Sequence, residues 1–66
     1  MRILETVDHI IVNANYIRDL RIEKRNNQFA VIANSAVSPT KYILDEFDDY
    51  NDAFNKLCTV QWYLKD

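Results

Sequence analysis

The sequence predicts an α+β fold: a three- to four-stranded antiparallel β-meander followed by one C-terminal α-helix packed on one sheet face. Two observations carry this. β-prone runs flank the pair Asn26-Asn27, and an apolar stripe at helical spacing runs from Tyr50 to Leu64. Strands grouped first and a helix afterwards is the element order of α+β domains rather than of alternating α/β ones. With no internal repeat, low-complexity tract or linker-like Pro/Ser run, residues 1–66 read as a single small domain.

In chain order, "RILE" suits a short edge strand, and "HIIVNANYI" reads as another strand that ends in an Asn-rich turn. The segment "RDLRIEKRNNQFAVIAN" is the strongest local signal. Asn is a non-glycine residue that tolerates positive φ, so Asn26-Asn27 can form a two-residue type I′ turn. Counting outward, Lys24 faces Phe29, Ile22 faces Val31 and Leu20 faces Ala33. The other face pairs Arg21 with Ile32 and Glu23 with Ala30, the alternation of a half-buried sheet. In "SAVSPTKYILDEF" a turn at Ser38-Pro39 would set Ala36 opposite Lys41, Ser35 opposite Tyr42 and Ala33 opposite Leu44, with Ile43 joining Ile32 on the far side.

The stretch "DEFDDYNDAFNKL" places five carboxylates in eight positions and so raises the question of a cation loop. An EF-hand needs oxygen ligands at alternate positions and a Gly at the sixth. Starting from Asp45, the third and sixth residues are Phe47 and Tyr50, and a start at Asp48 gives Tyr50 and Ala53. A helix start accounts for more: Asp49 as N-cap, Asp52 at N3, and negative charge at the positive end of the dipole. Tyr50, Ala53, Phe54, Leu57, Val60 and Leu64 then form the stripe that covers Leu20, Ile22, Phe29, Val31, Tyr42 and Leu44.

A chain of 66 residues buries only about 60% of the surface exposed when unfolded, and domains of this size usually lean on disulfides, a metal or self-association. The lone Cys58 closes no internal bridge, which points to a reducing compartment. Together with the single His9 it cannot complete a four-ligand zinc site. Self-association remains. No window reaches the roughly 18 apolar residues of a membrane span, and "MRILETVD" lacks the apolar run of a signal peptide. A cytoplasmic protein is expected. Its net charge of −2 is unlike that of a dedicated DNA binder, and the acidity belongs to the second half of the chain.

No catalytic, cofactor or metal site is expected. Without glycine there is no phosphate-binding loop. His9 follows Asp8 directly, and neighbours on a strand point to opposite faces, so they make no dyad. Cys58 has His9 as its sole candidate base. The basic group Arg18, Arg21, Lys24 and Arg25 is interleaved with Asp19 and Glu23 and reads as a solvated, self-compensating hairpin. Trp62 is more informative. It falls about 180° from Ala53 on a helical wheel, beside Cys58, where it either folds back over a frayed last turn or anchors an interface. Ile32 and Ile43, on the sheet face away from the helix, form a second candidate patch.

The runs "VNANYIRDLRIEKRNNQFAVIA" and "ILDEFDDYNDAFNKL" resemble short uncharacterised proteins of low-GC Gram-positive bacteria and their phages and plasmids. Phe47, Asp48, Asp49, Ala53 and Leu57 match the helix start of those proteins, although the Gly they often carry in the last hairpin is missing. The resemblance implies a strand meander plus helix and brings no catalytic residue with it. The function expected is therefore that of a small non-enzymatic, homodimeric protein that binds another macromolecule. The alternative is a regulator that engages nucleic acid, or proteins that bind it. It would act through the Arg18–Arg25 hairpin or through a phosphate-like edge of Asp45, Glu46, Asp48, Asp49 and Asp52.

Overall fold

The computed structural model describes residues 2–65. Five strands and one long helix follow in order: β1 (Ile3–Glu5), β2 (Ile11–Asn13), a 3-10 turn (Ala14–Tyr16), β3 (Ile17–Arg25), β4 (Gln28–Ser35), β5 (Lys41–Phe47) and α1 (Tyr50–Lys65). Strands β3, β4 and β5 form an antiparallel meander with β4 in the centre, while β1 and β2 form a separate two-stranded hairpin. The fold is α+β, with α1 packed on the meander.

Asn26 (φ 50°) and Asn27 (φ 67°) both take left-handed conformations, as a type I′ turn requires. The β3–β4 register follows from that turn, with Lys24 opposite Phe29, Ile22 opposite Val31 and Leu20 opposite Ala33. Strand β4 is the spine of the molecule. Residues 30–35 are all buried, so both of its faces are covered.

On the helix side the core comprises Leu4, Val31, Ala33, Leu44, Ala53 and Val60, with Leu20, Ile22, Phe29, Tyr42, Phe47, Leu57 and Leu64 packed against it. Ala53, at 0% exposure, is fully enclosed in this core between α1 and the sheet. Asp49 begins the helix. Its Oδ1 accepts a hydrogen bond from the Asn51 amide at 3.0 Å, which satisfies one of the donors left over at a helix N-terminus. The apolar stripe is narrower than its sequence suggests, because Tyr50 and Phe54 stand about half exposed.

The β4–β5 register departs from the sequence expectation. Tyr42 lies opposite Ala33 rather than Ser35, and Lys41 opposite Asn34 rather than Ala36. The Ser35 amide donates to the Thr40 carbonyl at 3.0 Å, so the connection is a wider loop than a tight Ser38-Pro39 turn. A β-bulge then separates the Ile32–Ile43 pair from the Val31–Asp45 pair, leaving Leu44 as the extra residue. The bulge has a physical reason. Tyr42, Leu44 and Phe47 are spaced by two and then three, so strict alternation would turn Phe47 to the opposite face; one inserted residue brings it back opposite Phe29.

Near the N-terminus the expected strand over "HIIVNANYI" shrinks to Ile11–Asn13. Asn13 ends it by accepting the Asn15 amide at 2.9 Å, which starts the 3-10 turn. His9 is in a turn with φ 65°, where the Thr6 hydroxyl accepts hydrogen bonds from the Asp8 and Ile10 amides. The β1–β2 hairpin is tied to the rest through Val7 N–H to Ile43 C=O (2.9 Å) and Ile3 N–H to the Tyr63 hydroxyl (3.3 Å).

Two stability changes are expected. Asn27→Gly, which removes the left-handed penalty at the turn, should raise the unfolding free energy from urea titration by up to about 1 kcal/mol, whereas Asn27→Val should lower it by about 1–2 kcal/mol. Ala53→Leu should destabilise by about 1–3 kcal/mol in the same assay, because α1 would have to lift off the sheet.

Candidate functional site

Residues that pack away from the core define three surfaces. The first is the outer face of α1. Tyr50, Phe54, Cys58 and Trp62 follow one another at four-residue intervals, and residues so spaced are neighbours along one ridge of a helix. All four are exposed, and Trp62, at 77%, is the most exposed of the three aromatic residues. The helix continues to Lys65, so its last turn does not fray and Trp62 does not fold back. At its N-terminal end the ridge runs into the hairpin. The rings of Tyr50 and Phe54 stack with centroids 6.2 Å apart, Tyr50 meets the edge of Phe29 at 5.6 Å, and the Lys24 ammonium sits 5.9 Å from the Phe29 centroid.

The second surface is the sheet face away from the helix. Ile32 is 1% exposed within a single chain, so it offers a partner nothing, and the expected Ile32–Ile43 patch is corrected on that ground. Its burial has a visible cause. Lys41 Nζ lies 3.2 Å from Glu23 Oε2, and Arg21 Nε lies 3.7 Å from the same oxygen. Lys41 stands opposite Asn34 and Glu23 opposite Ala30, so this ion pair crosses β4 above Ile32 and its aliphatic stems cover the side chain. Ile43 is half-buried, and its carbonyl is taken by Val7.

The charges of the basic hairpin are distributed as interleaved pairs. Arg18 lies 3.2 Å from Asp19, and Arg21 pairs with Glu23. Asp19 also accepts a hydrogen bond from the buried Asn34 amide. That bond holds the Asp19 carboxyl below the ordinary aspartate range, with Arg18 and Arg21 acting in the same direction.

The third surface is acidic. Asp45 accepts its neighbour Glu46's amide, Asp48 accepts the Gln28 side-chain amide at 3.1 Å, and Asp49 caps α1. These carboxylates thus also join β5 to the helix and the hairpin tip. Asp45 lines a cleft with Glu5, His9, Lys56 and Val60, where His9 Nδ1 is 3.0 Å from Glu5 Oε2. Cys58 is not part of this cleft, so the thiol and the imidazole are not brought together there. Among the described residues no group of three or more His, Cys, Asp or Glu side chains could hold a metal ion.

The sequence pattern places Trp62 and Cys58 on the outer helix face but counts Tyr50 and Phe54 into the core stripe, whereas both rings are about half exposed. The four-residue spacing that links them to Cys58 and Trp62 was the signal that could have found the whole ridge. The Asn34–Asp19 contact could also be found by counting outward from the turn, which sets the two residues opposite each other before the irregularity at Ile17. No family model, no curated protein and no solved structure matches the chain.

The Asn34–Asp19 bond has a measurable signature. A carboxyl with a lowered folded pKa contributes stability at neutral pH and loses it as the pH falls through that folded value. In a carboxyl NMR titration Asp19 should titrate below the ordinary aspartate midpoint, and Asn34→Ala should move its midpoint upward.

Proposed function

We propose that this chain is a small non-enzymatic protein of the cytoplasm that works as a homodimer and binds another macromolecule through the outer face of α1. The observation that supports this most is the ridge of Tyr50, Phe54, Cys58 and Trp62. A large indole 77% exposed in line with two half-exposed aromatic rings is a costly surface to leave in water. Trp and Tyr are also the residues that most often dominate binding energy at interfaces. Among the described residues no helix is long and apolar enough to cross a membrane.

The second reading, a regulator that engages nucleic acid or proteins that bind it, draws on the acidic run of Asp45, Glu46, Asp48, Asp49 and Asp52. The basic hairpin supports it less, since Arg18 and Arg21 already pair with Asp19 and Glu23. Salt separates the two readings, because charge-driven contacts weaken steeply with ionic strength and apolar anchoring does not. Immobilised wild type and Trp62→Ala, challenged with extract of the source cells, provide the test. A partner retained by the wild type at high salt and weakened at least about tenfold by Trp62→Ala is the expected result. A partner lost at high salt and indifferent to Trp62→Ala would instead favour the charged surfaces.

A further inference from the structure

Strand β3 lies at the edge of the meander, and among the described residues no other strand pairs with its outer side. Its backbone groups have a definite phase. A two-residue turn closes on a hydrogen-bonded pair, here Arg25 with Gln28, so Arg25, Glu23 and Arg21 direct their amides and carbonyls to β4. Leu20, Ile22 and Lys24 therefore present theirs to the open edge. The side chains alternate the other way. Leu20 and Ile22 lie half-buried on the helix side, while Asp19, Arg21, Glu23 and Arg25 stand on the far side with charges that alternate negative, positive, negative, positive. A groove lined by Ile17, Asp19, Leu20, Gln61 and Leu64 opens along the same edge.

We infer that β3 pairs antiparallel with β3 of a second copy of this chain, about a two-fold axis at Ile22, to make one six-stranded sheet. This rests on the homodimeric part of the proposed function and gives that dimer its interface. In this register Ile22 faces Ile22 and Leu20 faces Lys24, so every outward backbone group of this stretch finds a partner and about six ladder hydrogen bonds form. On the far side Arg21 faces Glu23 and Asp19 faces Arg25, each twice by symmetry, which extends into a network the exposed Arg18–Asp19 and Arg21–Glu23 pairs made within each chain. Sliding the strands to the neighbouring in-phase registers destroys this match. An axis at Arg21 sets Arg21 against Arg21 and Asp19 against Glu23, and an axis at Glu23 sets Glu23 against Glu23 and Arg21 against Arg25. Like charges directly opposite are destabilising, and of the registers that bring opposite charges together the axis at Ile22 makes the most pairs, since an axis at Leu20 matches only Asp19 with Arg21 and one at Lys24 only Glu23 with Arg25. An edge blunted only against pairing would do better with a single sign, such as lysines, which repel in every register.

The test is sedimentation equilibrium of the wild type, Arg21→Glu, Glu23→Arg and the double swap, with the fold of each checked by its urea midpoint. The wild type should be a dimer, each single swap should raise its dissociation constant at least about tenfold, and the double swap, which restores opposite charges, should return it close to the wild-type value. A second measurement does not depend on the charged variants folding. In a Cys58→Ser background, Arg21→Cys and Glu23→Cys should form a disulfide-linked dimer on oxidation when mixed, and neither should when alone. Self-linkage of either single variant would overturn the register. A dimer unmoved by the swaps and dissociated by Trp62→Ala would overturn the edge pairing and leave the homodimer standing. A monomeric wild type would overturn both.

Discussion

Asn26 and Asn27, held together at positive φ, fix which residue of β4 every residue of β3 meets, and the remaining architecture is built on that pairing. Because side chains alternate strictly along a strand, one choice at the turn sends Leu20, Ile22, Phe29, Val31 and Ala33 to the helix side and Arg21, Glu23, Ala30 and Ile32 to the other. The same choice sets the direction of the backbone groups. A slip of one residue would expose the core and bury the charges, so the turn and the hydrophobic pattern reinforce each other.

The core is thin, and the molecule compensates by covering β4 on both faces with different materials. On one side lie the helix and its aliphatic stripe, with Ala53 permitting close approach. On the other, the stems of Lys41, Glu23 and Arg21 lie over Ile32 while their charged ends meet at the surface. The ion pairs themselves are exposed and each contributes little, about 0–1 kcal/mol. Their larger effect is to hold long side chains across the strand, where they keep water from an isoleucine that a second layer would otherwise have to shield.

The hairpin and the helix were legible because each carries a local signal that tertiary structure does not override: a turn pair suited to positive φ, and a carboxylate cap before an apolar stripe. The bulge was not read, although Tyr42, Leu44 and Phe47 announce it by breaking the two-residue period. The burial of Ile32 was hidden for another reason, since it depends on side chains from β3 and β5 meeting across β4, which no count along one strand reveals. At the site, the wheel located Trp62 because that residue is diametrically opposite the core. Tyr50 and Phe54 sit at the margin of the stripe, where the seat of the helix on Ala53, Leu57, Val60 and Leu64 decides their exposure.

The Leu44 bulge makes the two edges of the meander unequal. A bulge bends its strand and leaves one residue out of the ladder, and part of the β5 edge is already occupied where Ile43 accepts the Val7 amide. Beyond its irregularity near Ile17, β3 is regular as far as the turn. Growth of the meander by strand addition thus has one unobstructed end. A contact made through that end would leave only the obstructed β5 edge of each meander outward, so a meander joined in this way would stop at two copies and not extend into a fibre.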